Sequence, residues 1–178
     1  SDQNDDLKQR RVPRSNILDS ISGLPEGLSN ALNSNELSQI ASIFMNDLQA
    51  MSLIDDKKSM FMFKEVVTDI NTSVEHFLSS SRHYGFSKWS SLQATEKALK
   101  SFLMSKGVDF PYSHKLSDLA NLAENNGLPA LLDNSLDKIQ CNPSVRYGEI
   151  NVSIYKAYDA HKASIAICSI VAGALPEG

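Results

Sequence analysis

The stretch at residues 88–116, KWSSLQATEKALKSFLMSKGVDFPYSHKL, most limits what this chain can become. Leu92, Thr95, Leu99, Phe102 and Lys106 recur at the helical period, and Ala98 and Leu103 widen the apolar stripe. Ser87 or Ser90 suits the start, and Ser90 with Gln93 has the spacing of a capping box. Glu96 stands four residues before Lys100, the favourable order for an ion pair on a helix surface. Gly107 suits the left-handed position after a last turn, and Pro111 blocks any continuation. The stretch predicts a strong helix over 88–106, an enforced break, and a second helix opening at Ser113, His114, Lys115 and Leu116.

The same period continues on both sides. Met60, Phe63, Val67, Ile70, Val74, Phe77, Ser81 and Tyr84 alternate three and four apart, which predicts a helix over 59–84 with a narrow seam. Gly85 closes it, and so short a turn makes the two helices an antiparallel hairpin, with Leu99 and Phe102 against Val67, Ile70 and Val74. Upstream, a short helix is expected over 25–33. Asn33 and Glu36 then open a helix with the stripe Leu37, Ile40, Phe44, Leu48, Met51 and Ile54. Downstream, Leu116, Leu119, Leu122 and Ala123 mark a short helix. Pro129 opens another, with Leu131, Leu132, Leu136 and Ile139 inward. The closing helix begins near Gly148 or Glu149 and carries Ile150, Ile154, Tyr158, His161, Ile165, Cys168 and Ala172 on one stripe. No alternating strand pattern persists. The expected fold is all-α: an up-and-down helical bundle in residues 58–178, with two long antiparallel helices, two short helices and a long closing helix. A flexible arm and N-terminal helical extension occupy 1–57.

Composition narrows the function. A chain of 178 residues, 42% hydrophobic and 21% charged, can build its own core. Its net charge of −4 is uneven: residues 58–115 hold eight basic against five acidic residues, and both flanks are acidic. Anion contact is therefore expected only in the middle third, and nonspecific nucleic-acid binding through clustered Lys and Arg is disfavoured. Arg10, Arg11 and Arg14 are offset by Asp2, Asp5 and Asp6. Cys141 and Cys168 have no metal or redox spacing, which points to a reduced, cytoplasmic setting. The apolar run over 163–175 is too short to cross a bilayer, so no membrane partner is expected. His76 and His83 are seven residues apart rather than four, so no metal is expected there. No Ser-His-Asp set, phosphate-binding Gly loop or carboxylate pair stands out, and no cofactor is expected.

Three pieces in order carry a resemblance: Ala94-Thr95-Glu96-Lys97-Ala98-Leu99-Lys100, then Ser113-His114-Lys115-Leu116-Ser117-Asp118-Leu119, then Val145-Arg146-Tyr147 before a long last helix. Together they span about residues 60–172, and they resemble the HEPN family of small helical bundles. In that family the Arg is a signature position, and a His is common at the place of His114. Nuclease members carry another His four to six residues after the Arg and act on RNA without metal. Here residues 150, 151 and 152 are Ile, Asn and Val. The next His, His161, is about 22 Å further on along a helix axis. The resemblance therefore implies a non-catalytic or degenerate domain, with no catalytic residues. It would bind a nucleotide or RNA, form a homodimer, or partner a nucleotidyltransferase or other effector. The alternatives are a toxin-like, metal-independent endoribonuclease with a displaced acid–base group, and a purely structural helical module.

The expected ligand site is Arg146 and Tyr147 at a helix start, joined by Lys97, Lys100, His114 and Lys115. Free N–H groups and an Arg fork would hold a phosphate there, and Tyr147 would stack a base. The competing role for Arg146 is an ion pair with Glu149 or another acid. His114 has a competing structural role, tying its loop to the bundle, and His161 is expected to hydrogen-bond a neighbour from a buried or interface position. Ala157, Ala160, Ala163, Ala166 and Ser164 are small enough to admit a second helix, which favours dimerisation.

Overall fold

A helix enclosed on almost every side holds the protein together. It runs from Tyr84 to Ser105 (α4) and buries Leu92, Leu99, Phe102 and Leu103, but also Ser87, Ser91, Thr95 and Glu96. The computed structural model describes residues 16–21, 24–25, 27–111, 114–131 and 134–176, and among them there is no β-strand. The helices before α4 are α1 (Leu28–Ala31), α2 (Ser34–Asp55) and α3 (Phe63–Leu78). Those after it are α5 (Leu116–Asn125), α6 (Ser135–Ile139) and α7 (Ile154–Ala174). Two 3-10 turns, Ile17–Ser20 and Pro143–Tyr147, complete the order. The chain divides into two compact units at Asn46–Asp47, inside α2.

In the first unit the capping box at the head of α2 is present in both directions. Asn33 N donates to Glu36 Oε2 at 2.8 Å, and Glu36 N donates to Asn33 Oδ1 at 3.1 Å. The stripe expected on α2 is buried only at its far end. Ile54 is fully buried and Met51 packs on the core, whereas Leu37, Phe44 and Leu48 are exposed. The helix before it is shorter than residues 25–33, at Leu28–Ala31.

In the second unit α3 lies antiparallel on α4. Near one end Ser73 Oγ meets Ser87 and Ser91; near the other Lys97 Nζ meets Asp69 Oδ2 at 2.6 Å. The expected hairpin is there, with two differences. First, α3 ends at Leu78, a turn over residues 79–83 follows, and α4 starts at Tyr84, so Gly85 opens α4 instead of closing α3. Second, the buried face of α3 is Phe63, Val66, Ile70 and Ser73; Val67 is half-buried and Val74 exposed. The reason is chemical. The small hydroxyls on α4 need partners inside, and Ser73 supplies one by donating to the Ser87 carbonyl at 3.0 Å. Thr95 Oγ1 likewise donates to Ser164 Oγ at 3.0 Å, and Ser164 Oγ to the Ser91 carbonyl at 2.9 Å, so α7 is tied to α4 the same way.

The remaining pieces close the ends. Gln140 Oε1 accepts from Leu116 N at 2.9 Å, capping α5 from a distant loop. No helix starts at Pro129: Glu124 Oε1 accepts from Leu131 N at 2.8 Å, and α6 covers only Ser135–Ile139. Leu132 and Ser113 lie outside the described residues. The closing helix starts at Ile154, later than residues 148–149, because Ser153 caps it by accepting from Lys156 N and the chain before it forms the Pro143–Tyr147 turn.

Leu99 is fully buried in the cluster that holds Ile70 and Phe102. Leu99→Ala is expected to destabilise the fold by about 2–5 kcal/mol, read from urea unfolding; a loss well under 1 kcal/mol would mean that this contact is not part of the core.

Candidate anion-binding cleft

The cleft begins with a missing side chain. A Cβ on Gly85 would lie 2.0 Å from the Val145 carbonyl oxygen, so only glycine lets the first turn of α4 lie against the Pro143–Tyr147 turn. Asn142 starts that turn by accepting from Ser144 N at 2.9 Å, and Gly148 ends it at φ 72°. Val145 is buried there, Arg146 is half-buried, and Tyr147 is exposed.

Arg146 is held by rings. Its guanidinium carbon lies 4.4 Å from the centre of the Trp89 ring and 5.0 Å from that of Tyr147. No acid pairs with it among the described residues, Glu149 included. Its Nε is buried without a hydrogen-bond partner. Arg146 lines a cleft of about 250 Å³ with Arg82, His83, Tyr84, Asn151 and Val152 among its neighbours. Tyr147 is 68% exposed, so its outer face is open for stacking.

The other expected residues are dispersed. Lys97 pairs with Asp69 on α3 at 2.6 Å. Lys100 Nζ reaches Glu96 Oε1 at 2.6 Å, and His114 Nδ1 lies 2.8 Å from Glu96 Oε2, so one buried carboxylate serves both. His114 is linked to the cleft through Trp89, their ring centres 6.5 Å apart. Lys115 pairs with Asp118 at 2.9 Å on an exposed surface. The cleft thus brings together Arg146 and Tyr147, with His114 next to Trp89 and with Lys97, Lys100 and Lys115 engaged by acids elsewhere. Arg82 and His83 were not singled out for this cleft by sequence reasoning. They belong to a turn, and the only trace they leave is Arg82 at φ 53°, a conformation that a sequence does not reveal.

The sequence of residues 69–172 matches the HEPN domain. The chain belongs to the HEPN family. Neither the curated proteins nor the solved structures include a match to it. HEPN domains are related to nucleotides and RNA, and they often dimerise. No helix among the described residues is long and apolar enough to cross a membrane.

Two expectations about this HEPN domain change with the geometry. Arg146 is not at the start of the closing helix: Tyr147 ends a 3-10 turn and α7 begins at Ile154, so the dipole of α7 does not act on it directly. Ala157, Ala160, Ala163 and Ser164 are buried within the chain, where they let α7 lie close to its neighbours, and only Ala166 of that set is exposed. Those small residues therefore give no support to a dimer. Ile150, Asn151 and Val152 all line the cleft.

The two cysteines and His161 do not line the cleft. Burial pushes the Cys141 thiol up to about 11 and the Cys168 thiol up to about 12, so both stay protonated at neutral pH. Among the described residues no cluster of His, Cys, Asp or Glu could hold a metal, and His76 instead stacks on Phe86 at 4.9 Å.

His161 hydrogen-bonds Ser73 Oγ through Nδ1 at 3.0 Å. Burial, then the charge of Lys162, holds its pKa below the ordinary 6.5. The unfolded chain therefore binds this proton more readily than the folded one, and the imidazole contributes stability at pH above 6.5 that is lost as pH falls through its folded pKa. Chemical unfolding measured from pH 8 down to pH 5 should lose more stability below about 6.5 in the natural protein than in His161→Gln. Parallel pH profiles for the two would contradict this account of His161.

Proposed function

We propose that this HEPN domain binds a nucleotide or RNA in the Arg146 cleft and does not cleave it. The observation that carries the reading is an arginine held by two aromatic rings, without an acidic partner, at the edge of a cleft. Such a guanidinium keeps its charge and its outward donors for a phosphate, and the exposed Tyr147 ring adds a stacking face for a base. The absence of the nuclease His in the 150–152 segment favours binding over chemistry.

A second reading has one observation in its favour. His83 lines the same cleft as Arg146. It is a candidate for the displaced acid–base group of a metal-independent ribonuclease, taking up or supplying a proton while Arg146 holds the phosphate.

One titration separates the two readings. Trp89 is the chain's single tryptophan, so its fluorescence reports ligand arriving beside Arg146. Nucleotides and short RNAs should change that emission and remain intact. Arg146→Ala should weaken binding by about tenfold or more, or about 1.4 kcal/mol, and leave the melting temperature within a few degrees. Unchanged affinity in Arg146→Ala would refute the site. RNA cleavage abolished in both Arg146→Ala and His83→Ala would establish the second reading instead.

A further inference from the structure

A second cavity lies between α4, α6 and the first turns of α7. It measures about 360 Å³, within the range of small-molecule sites, and is lined by Lys88, Lys138, Lys156, Asp137 and Asp159. In spite of their proximity, none of these five makes an ion pair with any described residue. Several half-buried lysines of this unit are paired: Lys97 with Asp69, Lys100 with Glu96, and Lys162 with Asp47. Lys88 is not paired with any described residue. It is half-buried on the central helix, and its pKa is lowered, first by that burial, with the charge of Lys156 adding to it.

An ammonium out of water and facing a like charge is at a cost that an anion in the cavity relieves. Lys88 on α4, half-buried, and Lys156 on α7, exposed, line the same cavity and together match a doubly charged anion better than a single carboxylate. The two aspartates set a further condition. They repel a bare anion, but they accept hydrogen bonds from hydroxyl groups. An occupant satisfying both walls carries a phosphate for the lysines and hydroxyls for the aspartates.

We propose that this cavity is a binding site for a phosphate monoester of a polyhydroxy compound, such as a sugar phosphate. Lys88 and Lys156 hold the phosphate, Lys138 adds charge at the rim, and Asp137 and Asp159 accept from the hydroxyls. Binding is non-covalent. The site shares no lining residue with the Arg146 cleft, and the proposal does not rest on the function assigned there.

The test uses the full chain with ¹⁵N-labelled lysine, following the Lys88 and Lys156 Nζ signals. Ribose 5-phosphate should move both signals and bind about tenfold tighter than methyl phosphate, which lacks the hydroxyls. Adenosine 5′-monophosphate in a parallel titration separates a nucleotide from a free sugar phosphate as the source of that group. Lys88→Met, which keeps the aliphatic stem, should abolish the response at Lys156, and Arg146→Ala should leave it unchanged. If Lys88→Met does not fold, Lys156→Met with the Lys88 signal as readout serves in its place. Nζ signals that do not move with any of these phosphates would overturn the proposal. So would methyl phosphate binding as tightly as ribose 5-phosphate, or glutamate binding more tightly than either.

Discussion

The enclosure of α4 is the constraint from which the rest follows. A helix packed against α3, α5, α7 and the Pro143–Tyr147 turn has little surface on which to leave polar groups in water. Its hydroxyls at Ser87, Ser91 and Thr95 are met by Ser73 and Ser164, and its one buried carboxylate, Glu96, by Lys100 and His114, while Ser101 Oγ and Gln93 Nε2 stay buried without a partner. Buried polar groups without partners are heavily penalised, so these bonds select the register of α3 and α7 on α4 as firmly as the apolar contacts do. Leu92, Leu99 and Phe102 supply the area, and Ser87, Ser91 and Thr95 supply the alignment.

The same enclosure explains how the cleft is built. Gly85 allows backbone to lie directly on backbone, and the Pro143–Tyr147 turn is thereby set against the head of α4. Trp89, one turn further along, becomes the platform for Arg146. A guanidinium pinned by a ring face is placed nearly as well as one pinned by a carboxylate, yet its charge is not neutralised. Next to Trp89, His114 and Lys100 share the Glu96 carboxylate. Of the positive charge in residues 58–115, Lys58, Lys97, Lys100 and Lys115 are engaged by acids of the chain, while Arg82 lines the Arg146 cleft and Lys88 the second cavity.

Much of the bundle was legible from periodicity and punctuation. The α3–α4 hairpin, the break at Pro111 and the capping box at Asn33 and Glu36 follow from spacing alone, and the structure has all three. The HEPN resemblance followed from three short pieces and is matched over residues 69–172. Legibility failed where polarity and burial part company. Ser73 occupies a core position that an apolar count assigns to Val74, because a hydroxyl chain is invisible to hydropathy. Leu37, Phe44 and Leu48 look like a buried stripe and are exposed. The cleft was half legible. Arg146 and Tyr147 stood out by their place in the motif, while Arg82 and His83, from a turn, and Gly85, from the head of α4, stand more than sixty residues earlier in the chain and are joined to them only by the fold. Lys97, Lys100, His114 and Lys115 were grouped by charge, and their carboxylate partners, three of them on α3, α4 and α5, decide otherwise.

The central claim is that Arg146 is positioned by Trp89 and kept available for an anion instead of being neutralised within the chain. The most direct test follows the Arg146 Nε–H signal by NMR while a short RNA or a nucleotide is added. The account predicts a well-dispersed signal in the free protein, shifted by the ring current of Trp89, that moves saturably with ligand. The ring-current shift should disappear in Trp89→Leu. An Arg146 signal that is unaffected by every nucleotide and RNA, and that moves instead when Glu149 is replaced by Gln, would show the guanidinium to be engaged by an internal acid and would contradict the account.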